Sequence, residues 1–301
     1  MLELRTRILA PALIAVLACS ASADKGNAPT ASSPATPAAP SSSAASSPDA
    51  RGRAILKQQL ASLADEDGFA ASFTKDATAL TPLGSSRVHA PNASVASAVA
   101  FLNPHAQVKK ATFDHYTSGG NSQVAWFAAD LQLTIVSHEP GGPPSTEKHT
   151  VRAIELIDGA ASWNVAVAAF TNVGPLATYG TSTINDPTDA GPLTKLLVAP
   201  ETLAGNLADG AVVFGTEPKE RGVGTTEAKA LLARWKKLTI TLDTPSTVHE
   251  VRTGTYGYAI ANVSLVTKPG AAPYKLNAFV LALPAAGNRW SVVGASYGAL
   301  F

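Results

Sequence analysis

The sequence predicts an α+β fold laid down twice, and three observations point to it. Helical stretches precede four β-rich segments in each half of the chain. The two halves share landmarks in the same order, and their strands alternate apolar and polar side chains at period two. The 301 residues are 46% hydrophobic and 15% charged, an ordinary folded composition with length for about two domains.

In the first copy a helix is predicted over 54–63, continuing through 69–73. A short strand at 77–80, a Pro/Gly turn and a second helix at 94–102 follow. Strands are then expected near 108–116, 123–136, 150–157 and 162–171. The second copy repeats the order: helix 193–207, strand 211–214, and helix 225–236 with Thr225 or Thr226 as its N-cap. Its strands fall near 238–248, 255–266, 274–283 and 290–297.

Asp76-Ala77 matches Asp209-Gly210, and Trp126 matches Tyr258. Asp130-Leu131 matches Asn262-Val263, and Trp163 matches Trp290. Preserved order with a drifting offset is the mark of a duplication. The join falls in a stretch at 174–189 rich in Gly, Pro, Thr and Asp, which gives domains at 51–175 and 189–301 around a linker at 176–188.

The chain opens with a short charged stretch and an apolar run of 11 residues, Ile8 to Ala18. A membrane-spanning helix takes about 20 residues, so the run reads as the apolar part of a signal peptide at 1–19. Val16-Leu17-Ala18-Cys19 resembles the lipobox of bacterial lipoproteins, and Cys19 is the only cysteine, so lipidation of Cys19 is the expectation. Ala21-Ser22-Ala23 offers ordinary secretion as the rival. From Asp24 to Ala50, 22 of 27 residues are Ala, Ser, Pro or Thr, which makes 20–50 a disordered tether. A single cysteine excludes an intramolecular disulfide, and a net charge of +1 gives no basic face for nucleic acid.

The order helix, strand, helix, four strands resembles the nuclear-transport-factor-2-like fold, in its SnoaL-like branch. Phe73-Thr74-Lys75-Asp76-Ala77 is similar to that branch's F-x-x-D-A, and Gly215-Thr216-Glu217-Pro218-Lys219-Glu220 to its G-T-D-P-x-E turn. The segments around Trp163 and Trp290 are similar to its final strand. The resemblance implies two tandem cone-shaped domains, each a curved antiparallel sheet wrapped by helices around a central cavity. It implies small isomerases and cyclases, or non-catalytic binding modules. The histidine that many members carry on the last strand is replaced by Ala169 and Ser296.

The remaining acid–base candidates are Asp130, His115, Tyr116 and Glu155. An aspartate in mid-strand is unusual, and Asp130 shares a strand face with Trp126. If that face lines the cone, burial raises its pKa and makes it a base; if it is the outer face, Asp130 is solvated. Trp126, Asp130 and Tyr116, with Tyr258 and Asn262 in the second copy, form the candidate ligand-binding set. Gly294-Ala295-Ser296-Tyr297-Gly298 matches a nucleophile elbow, but too few residues follow for the acid and histidine that elbow needs. Gly222-Val223-Gly224-Thr225 reads as a plain turn, and Arg234-Trp235-Lys236-Lys237 as a basic helix end. His138 and His149 flank one hairpin, but no zinc motif occurs, and neither metal nor cofactor is expected.

The sequence therefore reads as an exported, lipid-anchored, non-catalytic protein of the bacterial envelope. It would bind an apolar small molecule or an envelope protein and touch the membrane only through its anchor. The alternatives are an isomerase or cyclase with Asp130 as base, and a structural pseudo-dimer packed through its sheet faces.

Overall fold

The computed structural model describes residues 47–63, 65–80, 86–89, 106–137, 142–173, 183–184, 187–243 and 248–299. The signal peptide, Cys19, most of the tether, the helix expected at 94–102 and His138 lie outside them.

The first unit opens with helices α1 (Pro48–Ala61) and α2 (Glu66–Ala70). Strands β1 (Phe73–Leu80), β2 (Ser86–His89), β3 (Ala106–Gly120), β4 (Val124–Ser137), β5 (Ser145–Asp158) and β6 (Asn164–Asn172) follow. β7 (Thr183–Ile184) comes next, inside the expected linker. The second unit holds α3 (Pro192–Leu197), α4 (Pro200–Gly205), β8 (Leu207–Phe214), β9 (Arg221–Val223) and α5 (Gly224–Trp235). It ends with β10 (Thr239–Leu242), β11 (Val248–Arg252), β12 (Gly257–Val266), β13 (Tyr274–Ala285) and β14 (Arg289–Ala299). Among the described residues no helix is long and apolar enough to cross a membrane.

The two sheets follow one strand order. The first runs β3-β4-β5-β6-β1-β2-β7; the second runs β10-β12-β13-β14-β8-β9, with β11 also on β12. β10 and β11 together occupy the place of β3, and they part where β3 bulges between Asp114 and Thr117. Such bulges bend a strand and curve its sheet. Thr78 pairs with Val167 just as Val212 pairs with Gly294, so Asp76 corresponds to Gly210 rather than to Asp209.

Local chemistry moves several boundaries. α1 starts at Pro48, within the stretch read as tether, because Ser47 accepts a hydrogen bond from the Ala50 N–H and Pro48 occupies the first turn. Phe73 begins β1 instead of ending a helix, and pairs in parallel with Val165. Pro200 divides the expected 193–207 helix, since proline cannot donate to a preceding turn. Neither Thr225 nor Thr226 caps α5. Val223 holds the cap position and its N–H is met by the Glu227 carboxylate, while Thr225 donates to the Ala208 carbonyl.

Three apolar layers result. α1 and α2 cover one face of the first sheet, packing on Ala125, Phe127, Ala129 and Leu131 of β4. α3 to α5 cover one face of the second sheet, where Ala259, Ala261, Val263 and Leu265 of β12 point. The third layer lies between the sheets: Trp126, Ile154 and Leu156 meet Tyr258, Phe279 and Leu281, with Ile184 of β7 at its margin. Tyr258 donates to the Thr78 hydroxyl across this layer at 2.9 Å. Both faces of each central strand are thus buried, the sheets packing face to face.

Gly294 and Gly298, the glycines of the apparent nucleophile elbow, have a packing role here. A Cβ at 294 would lie 2.8 Å from Ile154 Cγ2, and one at 298 would lie 2.9 Å from Thr171 Cβ. Their absence lets β14 approach the first sheet.

Candidate functional site

Each helix-covered face encloses a different chemistry. In the first unit, β5 turns Glu155 toward the helices, where it is fully buried. Gln59 of α1 donates to its Oε2 at 2.9 Å and to the Ser72 hydroxyl at 3.2 Å. Ser72 donates in turn to the Phe69 carbonyl. Burial pushes the Glu155 carboxyl up to about 8, against the smaller opposing pull of Gln59, so it stays protonated at neutral pH. Its Oε1 has no hydrogen-bond partner among the described residues.

In the second unit the corresponding layer is apolar and leaves a cavity of about 170 Å³. Its wall is Trp235 of α5, Leu238, Ile240 of β10, Leu265 of β12, Leu276 of β13 and Tyr297 of β14. The turn after β8 supplies the polar part of the wall through Gly215, Thr216, Glu217 and Glu220, and Thr267 also lines it. Trp235 reaches the wall because the apolar stripe of α5 runs Ala228, Leu231, Leu232, Trp235. Its indole N–H donates to Glu220 Oε1 at 2.9 Å, while Glu220 Oε2 accepts from the Thr216 and Glu217 N–H groups. Tyr297 donates to the Leu197 carbonyl, and its burial raises its pKa.

The polar cluster around Asp130 stands elsewhere. Its strand face neither lines a cone nor meets solvent: it is closed by the second unit, leaving Asp130 5% exposed. His115 Nδ1 lies 3.0 Å away, the Arg221 guanidinium 3.5 Å and that of Arg152 3.7 Å. Arg152, 2% exposed, donates to the carbonyls of Gly215, Pro218 and Glu220 at 2.7, 2.9 and 3.0 Å. Burial lowers its pKa and Asp130 opposes that shift. Arg221 donates to the His115 carbonyl at 2.7 Å. A side chain of the first unit thus holds the turn that forms the cavity wall of the second.

The five candidate ligand residues separate. Trp126, Asp130, Tyr258 and Asn262 all belong to the layer between the sheets. Tyr258 there meets His249 at 3.2 Å. Tyr116 lies on the opposite face, stacked on Phe127 at 5.9 Å and donating to the Asp49 carbonyl. None of the five lines the cavity. The base proposed for the enzymatic alternative, Asp130, is therefore committed to two arginines in an interface. Donor atoms of Asp114, His115 and Asp130 lie within 4.8 Å of one another, the spacing a metal ion needs. The two guanidiniums beside Asp130 oppose a divalent cation there.

The sequence reading passed over the cavity residues. Trp235 lay inside what read as a basic helix end, although its spacing from Leu231 and Leu232 marks an inward position. The Gly215–Glu220 turn was noticed only as a motif.

No family model matches the sequence, and no curated protein matches it either. Among solved structures, a ketosteroid isomerase-like protein from Erwinia carotovora atroseptica SCRI1043 is similar at 14% identity and a TM-score of 0.35, over 42% of this chain and 96% of that one. ActVI-ORFA from Streptomyces coelicolor is similar at 17% identity and 0.31, over 41% and 96%. An NTF2-like protein of unknown function from Pseudomonas putida KT2440 is similar at 14% and 0.30, over 36% and 78%.

Proposed function

We propose that this chain is an exported, lipid-anchored binding protein of the cell envelope, built from two tandem SnoaL-like domains and carrying out no chemical step. The cavity of the second unit carries this reading. Its wall is mainly apolar, and its indole, phenol and Glu220 carboxylate are already engaged within the protein. Such a wall suits recognition of a ligand by shape and contact. The paired sheets then act as the pseudo-dimer core that holds the two domains together.

Ligand-observed NMR on the full chain with a library of small neutral and charged fragments tests this reading. Thr267→Trp, at the exposed rim, is expected to abolish the hits while leaving the melting temperature in place. Fragments that bind both forms equally would remove the cavity from consideration. For the anchor, metabolic labelling with a lipid precursor is expected to mark the wild type and to miss Cys19→Ser. An unlabelled wild type points to cleavage after Ala23 and a freely exported protein.

A second reading is favoured by one observation, the fully buried Glu155 carboxyl whose Oε1 has no hydrogen-bond partner among the described residues. It replaces Asp130 as the acid–base group of an isomerase or cyclase acting in the first unit. A proton-transfer activity that survived Glu155→Gln would end that alternative.

A further inference from the structure

The wall of the second-unit cavity has one sign of charge. Its charged side chains are Glu217 and Glu220, and no Lys, Arg or His lines it among the described residues. Thr216 lies beside them, 4% exposed, and its backbone N–H donates to Glu220 Oε2. Trp235 and Tyr297 meet edge to face at 5.0 Å and 78°, giving the apolar end two aromatic rings. Glu220 Oε1 accepts only the Trp235 N–H and keeps a lone pair for a further donor. The acceptors are also held in place beforehand, because Arg152 ties the carbonyls of Gly215, Pro218 and Glu220 from behind. A fixed wall reduces the ordering cost of binding.

Building on the binding reading above, we infer that the cavity takes a small organic cation, an alkylammonium. Its head sits at Thr216, Glu217 and Glu220, and its short alkyl body lies against Trp235 and Tyr297. Two carboxylates attract a cation and repel an anion of the same shape, and the rings give the alkyl body an apolar surface. The volume of about 170 Å³ admits a compact body and not a long chain.

Three probes of nearly one skeleton separate the sources of affinity: isopentylammonium, isopentanol and isovalerate, titrated calorimetrically into the full chain. The ammonium is expected to bind about tenfold more tightly than the alcohol, with the carboxylate weakest. Glu217 is exposed, so Glu217→Gln is expected to keep the melting temperature. It should lower ammonium affinity several-fold without changing that of the alcohol. Equal binding of ammonium and alcohol, in wild type and Glu217→Gln alike, overturns the cation inference and leaves the binding reading standing. Tightest binding of isovalerate overturns it as well. If none of the three binds and the fragment hits are indifferent to Thr267→Trp, both the inference and the binding reading fall.

Discussion

The two units use the same register positions in opposite ways. Glu155 on β5 sits between Phe127 and Ala168, and Val280 on β13 sits between Ala259 and Ala295. Both point to the helix-covered face, yet one unit buries a carboxyl there and the other a hydrocarbon. On the opposite face Asp130 pairs with Arg152 in the first unit, where Asn262 pairs with Asn277 in the second. The contrast teaches that the buried ionisable residues of the first unit draw partners from other elements, whereas Asn277 of the second keeps an Oδ1 without a hydrogen bond among the described residues. Gln59 of α1 is the partner of Glu155, and the turn after β8 is that of Arg152. A buried polar group without such a partner carries the full cost of lost hydration.

Exchanging residues between the copies tests that lesson. The largest effect is expected from Arg152→Asn, which takes one guanidinium from buried Asp130 and a donor from each of three carbonyls; removing one partner of a buried pair costs about 3–5 kcal/mol. Combining it with Asp130→Asn makes the first unit resemble the second and should recover part of the loss in denaturant unfolding. Strict additivity of the two changes would show that the cluster does not act as a unit.

Glu155 comes next. Its folded pKa is raised from 4.5 to about 8, so the folded chain holds a proton that the unfolded chain releases across that window. The stability it confers is complete below 4.5 and declines by up to about 1.4 kcal/mol per pH unit until the folded group titrates. Glu155→Gln should flatten this decline and gain on the wild type as pH rises. Identical pH profiles of thermal unfolding would contradict it.

The smallest change concerns the sheet contact, where Gly294 occupies the place of Val167 in the first unit. Gly294→Val presses on Ile154 and is expected to destabilise by about 1–3 kcal/mol. An unchanged melting temperature would mean that the sheets can separate freely at that point.

Much of the fold was legible in the sequence because strands and helices write their periods locally. All four long strands of each half appear near their expected places, although 238–248 is broken into β10 and β11. The boundaries that moved did so where a cap or a proline acts: Ser47 and Pro48 at the start of α1, Pro200 between α3 and α4. The site was less legible. Period-two alternation places Asp130 and Trp126 on one face without saying what covers it. Glu155 was a candidate on residue type alone, and Trp235 was hidden among cations.

By itself the sequence determined the α+β class and the opposed faces of each strand, since these rest on local sterics and side-chain alternation. Only the tertiary structure decided which face of each sheet meets helices and which meets the other sheet. That choice depends on contacts between residues far apart in the chain, such as Tyr258 with Thr78 and Arg152 with Gly215. It turned Asp130 from a candidate base into an interface anchor, and it assembled a cavity from a turn, a helix and four strands that share no sequence motif.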